Sequence, residues 1–251
     1  MTALLPTGSP IVLLNAFPVD RSQWDPLIDL LADYDGDIIA FDMPGIGEMP
    51  LPDEEPSLDL IADAAVVAMR EATGHDRAIW VGCSMGGYVA MSVAERHPGA
   101  IAGLALLDTR STADDEAGVA KRLALAESLD GHSSAADPVG MAEGLVGTTG
   151  DERERLVTQV AENIARHSGD GIAWGQRAMA ARPTRTEALR TVSAPAVVIV
   201  GEFDAITGTE HAAVMAEALG VDVTVIAGVG HLSALEAPQA VYDAIAPLLS
   251  A

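Results

Sequence analysis

Ser84 stands in Gly82-Cys83-Ser84-Met85-Gly86, directly after the apolar run Ala78-Ile79-Trp80-Val81. The residues that follow, Gly87-Tyr88-Val89-Ala90-Met91, read as the opening turns of a helix. A serine is thereby placed on a tight strand-to-helix corner. Glycines at 82 and 86 remove side chains where backbones crowd, and the sharp turn pushes the hydroxyl out of the sheet. The chemistry that suits such a group is nucleophilic attack on a carbonyl. A serine hydroxyl is a weak nucleophile by itself, so it needs a base such as histidine, and the histidine needs an acid to fix its tautomer. The chain supplies both further on: Asp204 in Gly201-Glu202-Phe203-Asp204 and His231 in Gly228-Val229-Gly230-His231. Gly-x-Ser-x-Gly alone is equally compatible with an incidental serine at a glycine-rich junction. The acid and the histidine, each at the end of an apolar run, give the motif its weight.

These residues need elements to position them. Ile11-Val12-Leu13-Leu14, Asp37 to Phe41, Ala78 to Val81, Ile101 to Leu107, Ala196 to Val200 and Val221 to Ile226 are short apolar runs of the kind that forms buried parallel strands. Helical spacing appears between them, from Ser22, from Ser57, from Met85 to His97, from Thr209 to Leu219 and from Ala237 to Leu249. The alternation predicts an α/β fold, a mostly parallel sheet with helices on both faces. In such sheets ligands bind beyond the carboxyl ends of the strands. The polar residues at those ends are Asn15, Asp42, Ser84, Asp108, Asp204 and His231.

The alternation breaks over 111–190, where helix-like stretches at Glu116 to Leu129, Asp137 to Val146, Asp151 to His167 and Gly171 to Ala181 follow one another with no strand. That is too long for one crossover. We expect a helical cap at 111–190 inserted in a core made of 1–110 and 191–251; a second domain is the competing reading. Trp174, Met141 and Met179 are candidate pocket residues or plain core, and Arg177 could meet a substrate carboxylate or simply face solvent.

Composition narrows the function. The chain has 251 residues, 49% of them hydrophobic, with 14 basic against 37 acidic residues and a formal net charge of -23. Such a surface repels phosphate backbones and anionic lipid, so neither nucleic acid nor membrane is an expected partner. Cys83 is the one cysteine and has no internal disulfide partner; its place next to Ser84 fits a buried packing thiol. With no secretory leader pattern and no membrane-length apolar run, a cytoplasmic location is expected. No pair among His75, His132, His167 and His211 has metal-ligand spacing, and His97 ends a helix well away from the serine. No metal or organic cofactor is implied.

Taken together, Gly82-Cys83-Ser84-Met85-Gly86-Gly87, the acid turn Gly201 to Asp204, the histidine loop Gly230 to Pro238, and Asp42-Met43-Pro44-Gly45-Ile46-Gly47 resemble the corresponding motifs of the α/β-hydrolase family. Within it the chain is most similar to the small capped esterases and lactonases, the group of 3-oxoadipate enol-lactonase and pimeloyl-ester carboxylesterase. The resemblance implies a catalytic triad of Ser84, Asp204 and His231, with Asp108 an alternative acid that some relatives use. It also implies an oxyanion hole from the backbone N–H groups of Met85 and Phe17. Asn15-Ala16 stands where many relatives carry His-Gly, and the usual N-terminal antiparallel hairpin is expected to be reduced or absent. The implied activity is hydrolysis of small carboxylic esters or lactones through an acyl-enzyme on Ser84. Carbon-carbon bond hydrolysis, perhydrolysis and a non-catalytic ligand receptor on the same fold are the alternatives.

Overall fold

A computed structural model describes residues 8–134 and 137–249. Six strands, β1 (Ile11–Leu14), β2 (Ile38–Phe41), β3 (Ala78–Cys83), β4 (Ile101–Leu107), β5 (Ala196–Gly201) and β6 (Val223–Ile226), form one sheet in the order β2-β1-β3-β4-β5-β6. Every pairing is parallel. Every residue of β1, β3 and β4 is buried, as unbroken apolar runs require when helices cover both faces. The edge strands β2 and β6 are partly exposed, having a neighbour on one side only. The hairpin question falls partly on residues 1–7, outside the described residues.

Helices pack on both faces: α1 (Asp25–Leu30), preceded by a 3-10 turn at Arg21–Trp24, α2 (Leu58–Thr73) and α3 (Met85–Arg96) precede the break in alternation. Ser57 caps α2, its hydroxyl accepting from the Asp59 N–H, and Gly74 ends it in the left-handed conformation that glycine adopts at least cost. The stretch between β4 and β5 holds α4 (Glu116–Leu129), α5 (Pro138–Leu145), α6 (Gly150–Ile164), α7 (Gly169–Ala180) and the short α8 (Thr186–Arg190). After β5 come α9 (Gly208–Leu219), then, beyond β6, α10 (Ser233–Glu236) and α11 (Pro238–Leu249).

Strand order reverses direction between β1 and β3, because the chain goes outward from β1 to β2 and then returns to the other side. Such a switch point opens a crevice at the carboxyl ends of the two strands. Asn15 to Phe17 leave β1 there and Ser84 leaves β3. The register Leu14↔Gly82 and Cys83↔Leu107 brings these ends level. Close approach at this corner explains Gly86: a β-carbon there would sit 2.0 Å from the Leu14 carbonyl oxygen, closer than any side chain tolerates.

Candidate active site

The corner at Ser84 is strained. Ser84 has φ 52° and ψ −113°, a backbone conformation that L-residues avoid and that costs about 1–3 kcal/mol unless the surroundings impose it. Here they do. The Ser84 N–H donates to the Leu107 carbonyl at 2.9 Å, the Ser84 carbonyl accepts from Thr109 Oγ1 at 2.7 Å and from the Tyr88 N–H at 3.2 Å, and the Gly86 N–H donates to the Asn15 carbonyl at 3.1 Å. Ser84 precedes α3 without capping it, which leaves its hydroxyl free.

That hydroxyl lies 2.7 Å from His231 Nε2, and His231 Nδ1 lies 2.9 Å from Asp204 Oδ1. All three side chains are buried. Burial alone would push the Asp204 carboxyl up, but the bond from His231 and those from Thr207 prevail and hold it well below the usual carboxylate range. Oδ1 also accepts from the Ile206 N–H at 2.9 Å and the Thr207 N–H at 3.1 Å, while Thr207 Oγ1 bonds Oδ2. The acid stays ionised and fixed in orientation.

His231 is braced from the stretch between β4 and β5. Its N–H donates to the Leu145 carbonyl at 2.9 Å, and Gly230 and Gly147 approach so closely that a β-carbon on either would come within about 2.5 Å of the other's backbone. Glu236 completes the brace, its carboxylate accepting from the N–H groups of Gly147, Thr148, Gly230 and Leu232. The histidine loop and the loop between α5 and α6 are therefore one hydrogen-bonded unit.

Asp108, the alternative acid, makes no hydrogen bond to the His231 ring. It is fully buried at the end of β4, where Oδ1 accepts from the Gly201 N–H at 2.9 Å and Oδ2 from the Ser233 N–H at 3.1 Å and hydroxyl at 2.5 Å. It ties the turn after β5 to the histidine loop. Its partners lie 93 and 125 residues away in sequence, a connection that only the parallel register creates. Burial pushes the Asp108 carboxyl up to about 7, with the Asp204 charge adding to the rise and His231, Ser233 and Gly201 opposing it. The unfolded chain would lose this proton near 3.8. Between those values the unfolded state releases a proton that the folded state keeps, so stability falls as pH rises from about 4 to 7 and levels off above. Urea unfolding across that range is expected to show a loss of about 4 kcal/mol in the parent that an Asp108→Asn variant lacks, whatever constant cost the amide adds. Equal slopes for parent and variant would contradict the assignment.

Cys83 is buried. Burial first, then the Asp108 charge, raises its thiol well above the ordinary value, so it stays protonated, its sulfur 3.8 Å from Asp108 Oδ2 and 3.7 Å from the His231 carbonyl. It serves as packing. Asp42 accepts from the Arg21 N–H at 2.7 Å and the Glu48 N–H at 3.1 Å and so shapes its own loop. His97 bonds Asp63 at 2.7 Å beyond the far end of α3. Arg177 pairs with Asp130. Met179 is buried beside Arg122, Met141 is partly buried, and the Trp174 indole N–H donates to the Glu54 carbonyl.

Asn15 turns inward. Its amide donates to the Ala16 and Val19 carbonyls, and Gln23 Oε1 accepts from the Ala16 N–H at 2.8 Å. The turn thus dispenses with glycine: Ser84 and Asp108 are the non-glycine residues at positive φ among those described, and Ala16 is not one of them. The N–H groups of Phe17 and Met85 are donated to no protein group among the described residues. Gln23, Thr109, Thr207 and Ser233 escaped the sequence reading; Thr207 and Ser233 lie three and two residues past Asp204 and His231, spacings at which hydroxyls commonly return to a neighbouring backbone or carboxylate. No group of three or more His, Cys, Asp or Glu able to hold a metal occurs among the described residues, and no helix among them is long and apolar enough to cross a membrane.

A six-stranded parallel sheet with a serine on its strained central corner, a histidine against it and an acid behind it defines a hydrolase-type α/β protein. Residues 11–244 match the alpha/beta hydrolase family, and the chain belongs to it. A thermophilic esterase from Thermogutta terrifontis is 29% identical and superposes with a TM-score of 0.88 over 98% of this chain and 90% of that one. The enol-lactonase from Burkholderia xenovorans LB400 is 22% identical, with a TM-score of 0.84 over 97% and 92%, a likeness of fold. In sequence, the dihydrolipoyllysine-residue acetyltransferase component of the acetoin cleaving system of Pseudomonas putida is 29% identical over 242 residues, 93% of this chain and 61% of that protein. The chain thus spans about three fifths of that relative.

Proposed function

We propose that this protein is a serine hydrolase of small carboxylic esters or lactones. The observation that carries the reading is the continuous Ser84–His231–Asp204 hydrogen-bonded chain at the strand ends, with bonds of 2.7 and 2.9 Å. Ser84 Oγ attacks the carbonyl carbon while His231 Nε2 takes its proton, and Asp204 holds Nδ1–H and stabilises the imidazolium that forms. The carbonyl oxygen becomes an oxyanion bound by the Phe17 and Met85 N–H groups, Met85 adding the positive end of α3. His231 then protonates the leaving oxygen, the carbon–oxygen bond breaks and the acyl group remains on Ser84. Water, deprotonated by the same nitrogen, attacks the acyl carbon and returns the hydroxyl to Ser84 and the acid to solution.

Support comes from the esterase likeness and from the two unengaged N–H groups, which an oxyanion hole requires. A fluorophosphonate probe tests the reading: peptide mass mapping is expected to find the adduct on Ser84 alone, with multiple turnovers of p-nitrophenyl butyrate by unlabelled protein. Labelling without turnover would favour a ligand receptor and overturn the proposal.

A further inference from the structure

Three of the 14 basic residues of this strongly acidic chain converge on one aspartate in the stretch between the strand β4 and α4. The Asp114 side chain is buried, and each of its oxygens accepts two bonds: Oδ1 from Arg110 Nη2 and Arg182 Nη2, Oδ2 from Arg122 Nε and Arg182 Nη1. A carboxylate offers about four acceptor positions, so Asp114 is saturated. Arg182 belongs to the frame: its guanidinium carbon lies over the Tyr88 ring, 4.2 Å from the centroid, and it bonds the Met179 and Thr112 carbonyls.

The other cations exceed what that frame uses. Arg110, Arg122 and Lys121 line a cavity of about 250 Å³ together with Asp114, Leu125 and Gln176. Arg110 Nε is buried there without an acceptor. Lys121 is exposed at the rim and pairs with no acid among the described residues, and Arg122 spends Nη1 on Gln176 and Met179 and Nε on Asp114. Three cations against one already saturated anion leave a positive pocket in a protein of net charge -23. Guanidinium groups at such a site favour the planar oxygens of a carboxylate.

Chain neighbours of two lining residues, Arg110 and Gln176, touch the candidate active site. Arg110 lies two residues past Asp108, at the same end of the sheet as Ser84, and Thr109 between them holds the Ser84 carbonyl. Gln176 follows Gly175, which packs so tightly on the Phe17 ring that a β-carbon there would lie 2.3 Å from it.

We propose that this pocket binds a carboxylate at the far end of the substrate, so that the preferred esters or lactones carry a second, ionised carboxyl group. The inference rests on the hydrolase reading above. Two measurements test it. The first is the ratio of kcat/KM for mono-p-nitrophenyl glutarate to that for p-nitrophenyl butyrate; the second is thermal stabilisation of the Ser84→Ala protein by glutarate and by inorganic phosphate at matched ionic strength. The parent is expected to have a ratio above one, falling about fivefold or more in Lys121→Glu, whose exposed side chain makes no bond that folding depends on. Glutarate is expected to raise the melting temperature saturably, with less effect in a Ser84→Ala/Lys121→Glu double variant. A ratio below one that Lys121→Glu leaves unchanged would overturn the proposal. So would stabilisation by phosphate equal to that by glutarate with no half-ester preference, which would assign the pocket to a separate anion. Turnover persisting in Ser84→Ala would instead strike the nucleophile assignment, because glutarate binding is read without it.

Discussion

Replacing Ser84 with alanine is expected to lower kcat for p-nitrophenyl butyrate by about 10⁶-fold, and His231→Ala by as much, with the double variant no worse than either. The non-additivity is the sharper half of the prediction. Ser84 and His231 share one proton across 2.7 Å, so removing either partner removes the same step. What remains is the slower attack of water on a carbonyl still held by backbone donors, which neither substitution touches. Stability should change little: the Ser84 hydroxyl donates to or accepts from His231 alone, and alanine meets the same backbone strain at φ 52° as serine does. Loss of one hydrogen bond costs about 1 kcal/mol. Residual turnover above 1% of the parent, in protein that unfolds normally, would remove Ser84 from the mechanism.

The sequence exposes this centre unevenly. Apolar runs bound β1, β3 and β4 closely because strands buried on both faces have no polar positions to blur their ends. The α4 boundaries, Glu116–Leu129, agree with the pattern because Asp115 caps the helix and Asp130 leaves it. The short helices α8 and α10 escaped, being a turn or so long and set by contacts rather than periodicity. At the site, the serine, acid and histidine are visible because each ends a recognisable run. What orients them is not. Asp108, Glu236 and the Asp114 cluster act across sequence separations that no local pattern encodes, and Gln23 replaces a conformational requirement at Ala16 with a side-chain bond from an adjacent turn. Ala16, standing where many relatives carry glycine, is held by a residue seven positions on.

Asp204 should respond differently to its two simplest substitutions. Asp204→Ala is expected to reduce kcat by about 10⁴, since the imidazole loses both its orientation and its counter-charge. Asp204→Asn is expected to cost only about 10². An asparagine is damaging chiefly when its amide nitrogen faces the histidine and forces the proton onto the nitrogen that must act as base. Here the position of Oδ1 is dictated by two backbone donors, the Ile206 and Thr207 N–H groups, which an amide nitrogen cannot replace. The oxygen of the asparagine therefore keeps that position and still accepts from His231 Nδ1–H. Its nitrogen takes the place of Oδ2, where the Thr207 hydroxyl can rotate from donor to acceptor. The tautomer survives, and the loss is that of a charge-assisted bond to the imidazolium, about 2–3 kcal/mol. Single-turnover kinetics on the two variants, with nitrogen NMR of the His231 ring to read its tautomer, decide the matter. Equal losses in both variants, or a proton on Nε2 in the asparagine form, would show that the backbone donors do not control the amide and that the acid turn is looser than its hydrogen bonds imply.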